Sequence, residues 1–431
     1  MFGSSLVSAV GRAVSESLSG WADRQARQRR LKRASKFDLL LALLATRLSA
    51  AAYESSQAAL AQKLNAPAIK ADIPGGLEVL HFRRDQGSDV HPQWYLARGA
   101  LPVCVGGDEQ RHSRGDEAGA AAAAAAGKAL YVVFRGTWSN ADILRDLCVE
   151  PERHHHLGHF HGGFLKGVRD DPDLVIHLKR ALREGCSHLF LFGHSLGGSL
   201  ALTLAAARLV PDEDYRGPVT VVAVGAPPVI CAEKPRLQHA PPPSTAAGPG
   251  EEGKGAEGAK KGHHHEEAKG RGRGELAPTD APTTEADESC HKLRRSRAQA
   301  ARNLLVINDC DVVPRLLGSP MPVAVTAALA ATAGNSASGA VMRRNVEIME
   351  TMQRYTHPRG TQGLLLRADG VAKAVASHDR SAVLHLHESL FSSQLFDDHS
   401  CERYVERLEM AAALAEAFDE GDDGAETGND G

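Results

Sequence analysis

Apolar residues along the chain gather into short unbroken runs separated by glycines and polar clusters. Tyr131-Val132-Val133-Phe134, Leu189-Phe190-Leu191-Phe192, Val219 to Val224 and Asn303 to Asn308 each read as a buried strand, and Val383 to His387 as a further one. Longer stretches carry helical spacing instead: Ser199 to Val210, Glu402 to Phe418, and a segment opened by His161-Gly162-Gly163-Phe164. The Leu39 to Leu48 run is too short to cross a bilayer, which takes about 20 apolar residues, and Arg47 interrupts it. At the amino terminus Val7, Val10, Val14, Leu18 and Trp21 recur at spacings of three and four, one face of a helix, and a cluster of arginines and lysines from Arg24 to Arg33 follows.

Between the run ending at Phe192 and the helix after it stands Gly193-His194-Ser195-Leu196-Gly197, a G-x-S-x-G pentapeptide. A serine hydroxyl is a poor nucleophile unless a sharp, exposed turn presents it beside a base, and a strand-to-helix elbow flanked by glycines does this. Gly193 and Gly197 remove Cβ atoms where strand and helix pass closest. A tight turn with a capping serine is the alternative reading, so the context decides.

That context is a series of motifs. F-R-G-T (Phe134 to Thr137), H-x-G-F (His161 to Phe164), G-H-S-L-G-G (Gly193 to Gly198), A-x-G-A-P-P (Ala223 to Pro228) and D-V-V-P-R-L (Asp311 to Leu316) follow one another in that order. Together they resemble the class 3 lipases, the fungal-lipase-like branch of the α/β-hydrolases. The Asp311 motif with a late histidine is most similar to the sn-1 diacylglycerol lipases and their plant and algal relatives. The resemblance spans Phe37 to Leu414 with one long interruption. It implies an α/β-hydrolase fold, a mostly parallel central sheet flanked by helices, and hydrolysis of carboxyl esters of glycerolipids. It implies no cofactor and no metal.

Such a hydrolase needs an acid and a histidine after the serine, in that chain order. Asp309 and Asp311 both stand at the end of the Asn303 to Asn308 run; Asp311 is preferred because it occupies the family's D-x-V-P position. Its plain alternative is a turn aspartate before a proline. His357, His378, His385, His387 and His399 all follow. His399 is preferred because Asp398-His399-Ser400, continued by Tyr404, matches the turn that carries the histidine in the resembling lipases; His357 is the second choice. The implied catalytic set is Ser195, Asp311 and His399. The implied oxyanion hole is the N–H of Leu196, after the nucleophile, with Thr137, after F-R-G, and Asp146 is a candidate to hold the Thr137 loop.

Composition narrows the setting. With 431 residues and 42% hydrophobic content the chain can build one large core, and a formal net charge of −3 gives no global attraction to nucleic acid. Seven scattered cysteines without a C-x-x-C pair do not read as a disulfide framework and point to a reducing compartment, with Cys148, Cys186 and Cys310 as inert core thiols. The short His154 to His156 and His263 to His265 runs are not assigned to a metal. Residues 235–298, rich in Pro, Gly, Ala, Glu and Lys, are expected to be a disordered insertion that accounts for the long gap between Ser195 and Asp311. Such an insertion before the acid departs from the animal diacylglycerol lipases.

The expected organisation is therefore a basic amphipathic segment over 1–36, the hydrolase domain over 37–418 and an acidic tail over 419–431. The alanine tract Ala118 to Gly127 is expected to be solvated like that tail. The amino-terminal helix suits an anionic membrane surface, an organelle transit peptide or a packed helix equally well in composition. The setting expected is cytoplasmic, with peripheral attachment to a lipid surface, or chloroplast. Phospholipase A1, galactolipase and soluble-ester esterase activities would use the same residues, and a scaffold acting through the insertion is the non-enzymatic alternative.

Overall fold

The unbroken apolar runs form the centre of one sheet. The computed structural model describes residues 31–84, 92–105, 128–136, 150–154, 157–210, 213–232, 302–309, 311, 313–316, 354–376 and 397–422. In chain order the helices α1 (Lys36–Ala51), α2 (Gln57–Leu64) and α3 (Pro67–Asp72) precede strands β1 (Leu77–Arg83), β2 (Trp94–Gly99) and β3 (Ala129–Phe134). Then come β4 (Pro151–Arg153), β5 (His159–His161), α4 (Gly162–Arg169), α5 (Pro172–Arg183), β6 (His188–His194), α6 (Leu196–Ala206), β7 (Val219–Val224) and β8 (Ile230–Cys231). After residue 301 follow β9 (Arg302–Asn308), α7 (Val313–Leu316), β10 (Tyr355–Thr356), β11 (Gln362–Leu366), β12 (Ala372–Val375), a 3₁₀ turn (Asp397–His399) and α8 (Cys401–Asp422).

Among the described residues the main sheet has eight strands in the order β1-β2-β3-β6-β7-β9-β11-β12. The neighbours from β3 through β11 are parallel, and the outer pairs are antiparallel. A parallel sheet is covered on both faces, so its strands are apolar at every position rather than at alternate ones. Val132, Phe134, Leu189 and Leu191 face a core closed by α4, α5 and α6, where Phe164, Leu178 and Leu200 pack. Tyr131, Val133, Phe190 and Phe192 face the other core, closed by α1 and α8.

Helix α1 accounts for the Leu39 to Leu48 run. Ser35 caps it by accepting the Asp38 N–H, and most of its length is buried. Arg47, the charge inside the run, reaches out to Asp72 at 2.9 Å and Glu409 at 2.8 Å. Among the described residues no helix is long and apolar enough to cross a membrane.

The segment boundaries differ from expectation by a few residues. The chain joins the fold before residue 37, since Ala34 N–H donates to the Ala372 carbonyl at 3.1 Å and Ala374 N–H to that of Lys32 at 2.9 Å. Helix α8 continues through Asp422 into the acidic stretch, because acidic side chains do not stop a helix and no proline intervenes. A small antiparallel sheet, β10-β8-β5-β4, and the β11–β12 hairpin were not anticipated. Strand β9 lies in parallel register beside β7, Val224 opposite Val306, although residues 233–301 intervene between β8 and β9. The face of Val7 to Trp21, the Ala118 to Gly127 tract, the expected insertion, Thr137, Asp146, Cys148, Cys310 and the strand read over Val383 to His387 lie outside the described residues.

Candidate active site

Ser195 stands alone between β6 and α6, with φ 56° and ψ −127°. A non-glycine residue held there stores strain, on the order of 1–3 kcal/mol, and persists only where its surroundings over-determine it. Those surroundings are specific. A Cβ at Gly193 would run into the backbone of Gly197, and one at Gly197 into the Phe134 carbonyl of β3, so neither position admits a side chain. Ser195 N–H donates to the Val224 carbonyl at 2.8 Å, and Gly198 N–H donates back to the Ser195 carbonyl at 3.0 Å. With its backbone fixed, the serine keeps a buried Oγ that has no hydrogen-bond partner. Leu196 opens α6, and the first N–H groups of a helix have no partner within it.

The carboxyl ends of β6, β7 and β9 lie side by side, so Ser195, Gly225 and Asp311 share one edge of the sheet. Asp311 is fully buried, and three donors hold it. Its Oδ1 accepts the Val313 N–H at 2.9 Å; its Oδ2 accepts the Tyr404 hydroxyl at 2.5 Å and faces His399 Nδ1 at 2.8 Å. Gly225, at φ +58°, makes room for this cluster, because a Cβ there would lie 2.9 Å from Asp311 Oδ2 and 3.1 Å from His399 Cε1. Asp309 is only half-buried, and its N–H joins the Leu366 carbonyl of β11 at 2.8 Å. Of the two carboxylates, Asp311 is the one beside an imidazole.

His399 closes the 3₁₀ turn before α8, and its peptide is held on both sides. The carbonyl of Asp398 accepts Asn308 Nδ2 at 2.7 Å, and the carbonyl of His399 pairs with His194 Nε2 at 2.6 Å. The Asp398 carboxylate is paired with Arg407 at 2.8 Å. His399 Nε2, like Ser195 Oγ, is buried without a hydrogen-bond partner. His357 is elsewhere: it follows β10 in the small sheet, and its Nε2 meets the Ala226 carbonyl at 3.1 Å. His378, His385 and His387 lie outside the described residues.

His194, read from the sequence only as part of the elbow, sits in the centre of this cluster. Its ring lies 4.7 Å from that of His399, and its Nδ1 is 3.1 Å from the Tyr53 hydroxyl. Burial, reinforced by the neighbouring His399, pushes its pKa down to about 3, so the ring is neutral at ordinary pH. Burial likewise holds the Tyr53 phenol well above its usual range and keeps its O–H intact. Tyr53 and Asn308 are contributors the sequence reading did not pick out. Tyr53 follows the end of α1 in an alanine-rich turn with no motif around it, whereas Asn308, polar at the end of an apolar strand, carried a signal that could have been used.

The described cysteines, Cys104, Cys186, Cys231 and Cys401, are free thiols. Burial pushes Cys186 up to about 11, which makes it unreactive. Among the described residues no group of three or more His, Cys, Asp or Glu is placed to hold a metal ion.

A mostly parallel sheet covered on both faces, with a serine at a strained strand-to-helix elbow and a buried carboxylate–imidazole pair on the same edge, is the architecture of the α/β-hydrolase fold. Residues 131–235, from β3 to just past β8, match the family model of Lipase (class 3). No curated protein matches the chain. Among solved structures, a native Rhizomucor miehei lipase propeptide complex aligns at 14% identity with a TM-score of 0.42, covering 84% of this chain and 81% of that one. The Rhizomucor miehei triacylglyceride lipase aligns at 14% identity and a TM-score of 0.42, covering 80% and 87%. A triacylglycerol lipase from Penicillium expansum aligns at 13% and 0.41, covering 82% and 90%. The likeness to the class 3 lipases is thus carried by residues 131–235, the stretch that runs from β3 through β6, the Ser195 elbow and β7.

Proposed function

We propose that the chain hydrolyses carboxyl esters of glycerolipids, diacylglycerol or triacylglycerol, through a Ser195–His399–Asp311 triad and an acyl-enzyme. The observation that carries this reading is a pair of buried, unpartnered atoms on one sheet edge, Ser195 Oγ and His399 Nε2, with the other nitrogen of His399 engaged by Asp311. Buried polar groups are normally satisfied, and two left open at the same sheet edge suit a proton transfer made only when substrate is present.

In this mechanism His399 Nε2 takes the Ser195 proton as Oγ attacks the ester carbonyl, and Asp311 holds the imidazole in the Nδ1–H tautomer and stabilises the imidazolium. The oxyanion forms against the Leu196 N–H, with Thr137 as the second donor; losing one such donor costs on the order of a hundred- to thousand-fold in rate. His399 then gives the proton to the leaving alcohol, and water, activated by the same ring, releases the fatty acid. Glycerolipid as the substrate class follows from the likeness to lipases. The basic amphipathic pattern of Val7 to Arg33 supports docking of the enzyme, cytoplasmic in setting, at an anionic lipid–water interface.

Labelling with a fluorophosphonate, alongside hydrolysis of emulsified diacylglycerol, triacylglycerol, phospholipid and galactolipid and of a soluble short-chain ester, tests the proposal. The expected result is covalent labelling that Ser195→Ala abolishes, with turnover highest on the neutral glycerides. Absence of labelling, or full activity in Ser195→Ala, would overturn the enzymatic reading; preference for phospholipid or galactolipid would overturn the substrate class alone.

A further inference from the structure

We propose that Tyr53 and His194 are positioning residues, a hydrogen-bonded relay that ties the turn leading to the oxyanion hole, the serine elbow and the peptide of His399 into one unit. The inference rests on the reading of His399 as the general base.

The direction of each hydrogen bond follows from the chemistry of the groups. The His399 carbonyl can only accept, so His194 Nε2, 2.6 Å away, carries the hydrogen and donates. A neutral ring then has a bare Nδ1, and this accepts the O–H of Tyr53 at 3.1 Å. The Tyr53 oxygen in turn accepts the N–H of Gly136, the residue before Thr137. Three donors therefore point the same way, from Gly136 through Tyr53 and His194 to the His399 carbonyl. Hydrogen bonds chained in one sense polarise one another and resist displacement of any single member.

The packing is close around the same atoms. A Cβ at Gly136 would meet the Tyr53 hydroxyl and, at 2.6 Å and 3.1 Å, the His194 carbonyl and Ser195 Cβ, so the turn, the phenol and the nucleophile are in direct register. The Arg135 guanidinium lies 5.2 Å from the centre of the Tyr53 ring. His194 is 5% exposed and spends neither nitrogen on its own strand or helix. An imidazole buried merely to fill space would cost more than an apolar side chain of the same size. Its two bonds go instead to the base's peptide and to the phenol that holds the oxyanion-side turn, and this arrangement sets the separation between the base and the site where the oxyanion forms.

The test compares Tyr53→Phe, His194→Gln, His194→Phe and the double variant Tyr53→Phe/His194→Phe by kcat and KM on p-nitrophenyl butyrate, by fluorophosphonate labelling rate and by thermal melting. A misplacement of about 1 Å can cost on the order of a hundred-fold, so Tyr53→Phe and His194→Phe should lower kcat and labelling rate roughly ten- to a hundred-fold with KM little changed. His194→Gln keeps a donor toward the His399 carbonyl and should recover part of the loss. In the His194→Phe background, Tyr53→Phe should add no more than about two-fold, since partners in one relay are not additive. Folded variants with wild-type kcat, a loss carried by KM alone, or fully additive effects would overturn the relay. If His194→Phe does not fold, Tyr53→Phe and His194→Gln decide the question through kcat and labelling. Wild-type protein that fails to label would instead refute the reading of Ser195 and His399, whereas labelling at one rate in wild type and variants would refute only the relay.

Discussion

Removing a single oxygen from Tyr404 offers a quantitative probe of Asp311, the acid of the proposed triad. The ring, carried by α8, is fully buried, its hydroxyl donates to Asp311 Oδ2 at 2.5 Å, and the same oxygen accepts the Asn308 N–H of β9 at 3.1 Å. Tyr404→Phe keeps the ring, and with it nearly all the apolar contact, so packing contributes little to the change. Two polar losses remain. A hydrogen bond to a carboxylate contributes about 1.5–3 kcal/mol, and a buried N–H left without a partner costs about 1–3 kcal/mol. Because both share one oxygen they do not add fully, and a loss of about 3 kcal/mol is expected. For a domain of this size each kcal/mol moves the melting temperature by roughly 2–4 °C, so the variant should melt about 6–12 °C lower. Differential scanning calorimetry measures the shift, and kcat on a soluble ester, measured well below the melting temperature, should fall roughly ten-fold as Asp311 loses one of its holders. A melting point within about 1 °C of wild type, with unchanged kcat, would refute the argument that this hydroxyl fixes the acid.

Other perturbations have equally definite outcomes. Ser195→Ala, Asp311→Asn and His399→Ala should each remove most ester hydrolysis without unfolding the protein, and Ser195→Ala/His399→Ala should be no slower than Ser195→Ala, because the residues act as one unit; His357→Ala, measured beside them on a soluble ester, should stay active. Gly193→Ala places a methyl group in the backbone of α6 and should destabilise by about 3 kcal/mol, the upper end for overpacking, visible as a lower urea midpoint. Acidification should weaken the fold: His194 titrates near 3 when folded and near 6.5 when unfolded, so between these values the unfolded chain holds a proton that the folded one lacks. Stability attributable to this ring is complete above about pH 6.5 and falls by at most about 1.4 kcal/mol per unit below it, with His188, pushed down to about 4 by burial, acting in the same sense. Urea unfolding at pH 7 and pH 5 reads this directly, and a flat profile, or one that His194→Gln leaves unchanged, would contradict it.

The strands that carry the site were legible because burial on both faces forces unbroken apolar runs, and β3, β6, β7 and β9 all have them. The elbow was legible because backbone crowding at Gly193 and Gly197 leaves only glycine. Asp311 was harder, since two aspartates end the same strand; its motif position favoured it, but the imidazole beside it is visible only in three dimensions. Tyr53 could not be read at all, because its importance comes from contacts with Gly136 and His194, residues far away in sequence. The strands of the small sheet run two or three residues, too short for any periodicity. The β11–β12 hairpin did leave a trace, Asp369-Gly370 between apolar stretches, a turn signal that went unused.

The parallel pairing of β7 with β9 across residues 233–301 has a consequence for chain continuity. The elements that carry Ser195, namely β3, β6, α6 and β7, come before that stretch, and the elements that carry Asp311 and His399, namely β9, the 3₁₀ turn and α8, come after it. The two portions are joined by the β7–β9 ladder and by α8 packing with α1 over a shared core, so their association does not depend on the peptide that links them. On the proposed function, a chain severed between β8 and β9 is expected to act only as a pair of fragments, each inert alone, with activity rising with the concentration of its counterpart.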